Sequence, residues 1–312
     1  MGKRKKRAPR ARTRPLAAAH AARPSAAPSV SWLASLHPKR FFLETWQRAD
    51  AEADAERASR RERGLGYDYR PVWLLCVGAA LLAIKARYGG AAEFEQLVHW
   101  MAEGAAPGSF WIRLPESPWY TLAGHAWWAG FRVLAYFLLP AVFIRVVLRE
   151  RVREHGLRRG GLREELPFLA LALGGVLVLV LLASQSAAFT AKYPFYRLAR
   201  RSGADLLAWE LLYVAQFFSL EFFFRGHWLT VLRRSFGSYA IFIMVVPYCM
   251  VHFGKPLPET LGAILAGVFL GTLALRTRSI WTGFLIHASV GIAMDVASIV
   301  ATGRFPAHFW PT

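Results

Sequence analysis

The chain has 312 residues, 55% of them hydrophobic and only 19% charged, with a mean hydropathy of +0.28. That balance excludes both a disordered chain and an ordinary soluble enzyme, and points to a membrane protein. The 39 Lys and Arg against 20 Asp and Glu give a net charge of +19, but the basic residues flank apolar runs, so the expected partner is an anionic membrane and not nucleic acid.

Residues 1–65 read as a separate region. The opening MGKRKKRAPRARTRP is followed by Ala/Pro/Ser-rich sequence, and residues 1–70 hold 17 Lys and Arg against 7 Asp and Glu. No apolar core of signal-peptide length follows the charges, and Lys6 breaks the N-myristoylation pattern. A disordered basic tail is expected, either contacting anionic lipid or merely fixing orientation.

Apolar segments follow at 71–87, 127–148, 166–191, 204–232, 239–253, 258–275 and 280–301. The third carries no charge, and Trp73, Trp119, Trp127 and Trp281 lie near span ends, as an aromatic belt requires. The expected fold is all-α, a polytopic bundle of about seven transmembrane helices. Its parts are N-terminal spans with an external loop (66–192), a C-terminal core (193–303) and a short tail (304–312). Cys76 and Cys249 both lie in apolar stretches, which leaves no disulfide framework and no Cys-based zinc site.

Loop charge orients the bundle. Loop 149–165 holds six Arg, loop 233–238 holds Arg233 and Arg234, and loop 276–279 holds Arg276 and Arg278. Positive-inside bias makes these loops and the N-terminus cytoplasmic and puts 88–125 outside. Loop 190–203 objects, because it should be external yet carries Lys192, Arg197, Arg200 and Arg201. An Arg to Lys ratio of 32 to 7 hints at a GC-rich bacterium, which makes its plasma membrane the expected location.

Ionisable residues inside the spans cost on the order of 2.5–3.5 kcal/mol each on insertion scales, so each needs a reason. They concentrate late in the chain: Glu210, Glu221, Arg225, His252, Glu259, His287 and Asp295. Glu221 and Arg225 are four apart, and an intrahelical ion pair would account for both. Taken singly, His252 and His287 are ordinary core histidines. Depth suggests more. At 1.5 Å per residue, Glu221, His252 and His287 lie roughly 18, 20 and 10 Å from the cytoplasmic ends of their helices, close enough to share a layer. Such a layer can be a metal site, with oxygen and imidazole donors suiting Zn²⁺, or three locally satisfied polar groups. No HExxH helix, Gly-x-Ser-Gly or Gly-x-Gly-Asp motif is present, and the Gly267/Gly271 step reads as close helix packing.

LEFFFRG, then YCMVHFGKPLPETLGAILAGVFLGTLALRTRSIWTG, then the His287 helix, resemble the CPBP (CAAX protease and bacteriocin-processing, or Abi) family of intramembrane proteases over about residues 193–300. Glu221 and Arg225 match the second Glu and the Arg of its Glu-Glu-x-x-x-Arg motif. Tyr248 and His252 match Phe-x-x-x-His, and His287 opens His-x-x-x-Asn/Asp. Two positions depart: Leu220 stands where the first, water-activating Glu belongs, and Gly291 where Asn or Asp belongs. Asp295 continues the His287 face. The resemblance implies hydrolysis of a membrane-associated peptide or protein substrate at a cytoplasm-facing site. A glutamate would act as base, Arg225 would orient it, and the histidines would hold a divalent metal or the oxyanion. The alternative is an inactive relative that binds a peptide, lipid or partner helix.

Overall fold

The computed structural model describes residues 37–159 and 162–311, with the side chains of 162–164 set aside. Of the tail expected over residues 1–65, residues 1–36 lie outside the described residues. Among the described residues the fold is all-helical, as the apolar runs demand. Its principal helices are α1 (Thr45–Glu62), α2 (Arg70–Tyr88), α3 (Ala91–Glu103), α4 (Tyr120–Val146), α5 (Leu162–Ala183), α6 (Gly203–Phe236), α7 (Tyr239–Met250), α8 (Leu257–Thr277) and α9 (Trp281–Ala301).

Six of these are long and apolar enough to cross a membrane: α2, α4, the 165–183 part of α5, α6, α8 and α9. The seventh expected span corrects to a shorter element. Its helix, α7, has 12 residues and rises about 18 Å, well short of a hydrocarbon core of about 30 Å. Turns at 251–255 then reverse the chain into α8. Proline explains part of the shortfall, since Pro247 sits in the last turn of α7 and Pro256 immediately precedes α8.

The second correction concerns the tail. Residues 39–62 were expected to be disordered, yet they form a π-helical turn (Lys39–Glu44) running into α1. Phe41, Thr45, Ala49 and Ala53 repeat every four residues and are all buried. Asp50 accepts from the Ser238 backbone N–H at 2.7 Å, and the Trp46 indole donates to Thr272 Oγ1 at 3.0 Å. A seam of small residues is easily missed because Ala and Thr add little to hydropathy.

Within the bundle, α4 packs along α6, α7 on α8, and α9 on both α5 and α6. Gly267 and Gly271 lie against Val245, Tyr248 and Ile241 of α7, so this step is a packing seam. α5 leaves Leu171, Val178, Leu179, Leu181 and Leu182 exposed, the surface a lipid-facing helix presents.

The bundle has two chemically different ends. At one, α1 and the loops at 149–157, 233–238 and 276–281 meet. There Glu52 pairs with Arg233 and Arg278, and Glu150 with Arg234. At the other end lie residues 88–120, 185–203 and 251–257. Arg201 of loop 190–203 donates to the Pro118 carbonyl and pairs with Asp205, which ties this loop to the end holding 88–125 despite its charge.

Candidate active site

Glu221 sits in the middle of α6, where the helix loosens into a π-helical turn over Phe222–Trp228. Such turns recur at functional sites. The Glu221 side chain is fully buried, and its Oε1 accepts from Arg225 Nη1 and His287 Nδ1, both at 3.0 Å. The four-residue spacing thus yields the expected ion pair, and α9 adds an imidazole. The Arg225 guanidinium stacks 3.8 Å from the centre of the Tyr248 ring. Tyr248 in turn meets the His252 ring edge-on, with centroids 4.9 Å apart. All five residues matched by motif therefore form one connected cluster across α6, the α7 end and α9.

The two imidazole tautomers follow from their partners. His252 Nδ1 lies 2.9 Å from the Tyr248 carbonyl, which only accepts, so Nδ1 carries the hydrogen. His287 Nδ1 likewise faces a carboxylate. Each neutral ring is left with its Nε2 lone pair, and both histidines line a cavity of about 480 Å³. Leu220 and Gln216 of α6 also line it; Glu221 does not. Adjacent helical residues point about 100° apart, and the π-helical turn begins too late to rotate Glu221 round. The hydrophobic side chain at the motif's first position faces the cavity, and the carboxylate faces the scaffold.

The third motif is altered in a related way. A Cβ at Gly291 would meet Phe217 ring carbons at 2.4 and 2.8 Å. Aromatic rings fill the space where Asn or Asp was anticipated. Asp295 is fully buried one turn further on, accepting from the Trp209 indole at 2.6 Å and standing apart from the Glu221 cluster. His227 points elsewhere, with Nδ1 3.4 Å from His155 Nδ1.

The zinc expectation fits these side chains poorly. Among the described residues no three His, Cys, Asp or Glu groups gather as a metal set. Glu221 Oε1 is already engaged twice, and its Oε2 faces Gly283 and not the cavity. Only the two Nε2 atoms remain, beside four cationic side chains on the same walls: Lys85, Arg132, Lys192 and Lys255. A dication there lacks a third protein ligand and meets like charge.

Residues 202–293 match the family model "Type II CAAX prenyl endopeptidase Rce1-like". Over this segment the chain is similar to that family. The matched segment runs from the start of α6 into α9, a narrower stretch than the expected 193–303 core, and includes Glu221, Arg225, Tyr248, His252 and His287 but not Asp295. No curated protein and no solved structure matches the chain significantly.

The cavity lies toward the end of the bundle opposite the arginine-rich loops. Its lining residues Lys85, Ala91, Gly124, Lys192, Gly254 and Lys255 come from the end holding 88–125 and 190–203. A cytoplasmic site and cytoplasmic arginine-rich loops are therefore mutually exclusive in this fold. The four cations were not anticipated as site residues. Lys85 and Arg132 signalled themselves only as charges at or within apolar spans, and Lys192 and Lys255 only as loop charges.

Proposed function

We propose that this integral membrane protein is a CAAX-protease-like endopeptidase whose general base is His287, with Glu221 as its positioning residue. The carrying observation is the hydrogen bond from His287 Nδ1 to Glu221 Oε1, which leaves Nε2 without a partner in a residue that lines the cavity. A carboxylate bonded to one imidazole nitrogen fixes the tautomer and favours the imidazolium that forms when the other nitrogen takes a proton. Nε2 would remove a proton from water as its oxygen attacks the scissile carbonyl of a membrane-associated peptide. The same proton would then pass to the departing amide nitrogen. Arg225 holds Glu221 in place, while Gln216 and Lys255 on the cavity wall offer donors to the oxyanion. No step requires a metal.

A second reading has its own support: Leu220 lines the cavity and no carboxylate does, as in a protein that binds but does not cut. The test compares new membrane-protein termini in cells expressing the parent, His287→Phe or Leu220→Glu at equal abundance. Termini lost with His287→Phe support the hydrolase. Termini appearing only with Leu220→Glu identify the parent as a binder.

Loop charge supports an orientation with the arginine-rich end in the cytoplasm, in which the cavity opens outward. Labelling of single cysteines at Glu103 and Arg158 checks this. Outside labelling at 158 with protection at 103 would invert the orientation and return the cavity to the cytoplasm.

A further inference from the structure

The cavity carries an uncompensated positive charge that proteolysis does not explain. Lys85, Arg132, Lys192 and Lys255 line it, and no Asp or Glu does. Lys255 pairs with Glu259 just outside. Among the described residues, Lys85, Arg132 and Lys192 have no carboxylate within ion-pair distance; their partners are neutral. Arg132 donates to the Trp128 and Gly89 carbonyls at 2.9 and 3.2 Å and stacks 3.8 Å from the Trp128 ring. Lys85 Nζ stands 5.8 Å from the Tyr136 ring centre, and Lys192 donates to the Gly254 carbonyl at 3.4 Å. Tyr136 is 1% exposed, lines the cavity, and its hydroxyl has no hydrogen-bond partner. A buried hydroxyl without a partner costs about 1–3 kcal/mol. Arg132, well inside the α4 span, is likewise expensive unless something answers its charge.

We propose that this cavity binds the phosphate monoester head of an amphiphile, with Lys85, Arg132 and Lys192 around the phosphate and the Tyr136 hydroxyl donating to it. Charge selects phosphate over carboxylate. A phosphate monoester carries about −1.5 to −2 at neutral pH and offers several acceptor oxygens to three cations whose charge a single carboxylate would leave mostly unanswered. Shape selects an attached chain. At about 480 Å³ the cavity far exceeds one phosphate and falls in the usual ligand-pocket range of roughly 300–1,000 Å³. Trp128, Phe195, Tyr213, Phe217 and Leu220 provide the apolar walls for that chain. The proposal stands whether the chain cuts peptides or only binds, and its assay involves no proteolysis. A peptide substrate would have to carry similar charge or displace the occupant.

The experiment is calorimetric titration of the full-length protein in neutral maltoside micelles with dodecyl phosphate, dodecanoate and inorganic phosphate. Saturable one-to-one binding of dodecyl phosphate is expected. It should weaken by about tenfold or more in Lys85→Gln/Arg132→Gln and in Lys192→Gln, and be unchanged in Arg153→Gln, an exposed arginine of the opposite end. Should the double variant lose its thermal transition, half-buried Lys192 carries the test alone. Inorganic phosphate binding as tightly as dodecyl phosphate would assign the site to the free ion and remove the chain. Equal binding of dodecanoate would overturn the phosphate assignment. Equal binding by the variants and the parent would overturn the site.

Discussion

Two sets of cations, one at the arginine-rich end and one lining the cavity, are used in opposite ways. At the arginine-rich end four guanidinium groups are matched: Arg233 and Arg278 share Glu52, Arg70 sits on Asp68 at 2.7 Å, and Arg234 grips Glu150. Around the cavity Lys85, Arg132 and Lys192 meet only carbonyls and rings. Matched charges fasten loops to helices, whereas unmatched ones leave a field directed at whatever enters. Counting cations along the sequence makes the two sets look alike; only their partners tell them apart.

The sharpest way to break this comparison lies between the ends, at the Glu221 cluster. His287→Phe should abolish cleavage, a loss of roughly 1000-fold or more, read from membrane-protein termini. Glu221→Gln should lose nearly as much, and the double variant little beyond either single one, because the pair acts as a unit. Glu221→Gln also leaves a buried Arg225 unpaired, a cost of about 3–5 kcal/mol, so its thermal midpoint is measured beside the activity. Additive, mild losses would return both residues to scaffolding.

Next in size is Gly291. Gly291→Ala should destabilise by about 1–3 kcal/mol through overpacking against Phe217, seen as a lower thermal midpoint. Adding Phe217→Ala should recover part of the loss, and Gly291→Asn should be tolerated only in that background. A Gly291→Ala protein as stable as the parent would mean that the aromatic wall yields easily.

The smallest effects belong to the matched end. Burial pushes the Glu150 carboxyl up, but hydrogen bonds from His155 and Arg234, together with the arginine charge, hold it near 2 against an ordinary 4.5. A depressed carboxyl stabilises the fold above its unfolded value, so this contribution is full above about pH 4.5 and disappears as pH falls toward 2. Glu150→Gln should flatten that acid limb of the thermal midpoint against pH. Arg233→Gln, which removes a partly exposed pair, should cost no more than about 1 kcal/mol.

How much was legible in the sequence follows the range of the signal. Long apolar runs are read locally, so the all-helical bundle and most spans were visible. The α1 seam was not, because Ala49 and Ala53 bury well without looking hydrophobic. Motif spacing brought Glu221, Arg225, Tyr248, His252 and His287 together, but it does not say which way a side chain turns. Glu221 turning from the cavity and Leu220 toward it is set by α6 packing on α9 and α4. The same holds for Gly291, whose vacancy is filled by Phe217 from another helix. The lining cations come from segments far apart in the chain, and no local window joins Lys85 to Lys255.

The shortness of α7 has a consequence for the surrounding lipid. A helix rising about 18 Å beside neighbours that rise 30 Å or more creates hydrophobic mismatch on one side of the bundle. The leaflet must dimple there, or water must replace acyl chains above Met250. Either response carries the aqueous boundary inward toward His252 and Lys255. A chain sliding sideways out of the bilayer beside α7 would meet polar surroundings early, with less hydrocarbon to leave behind than beside α6 or α8.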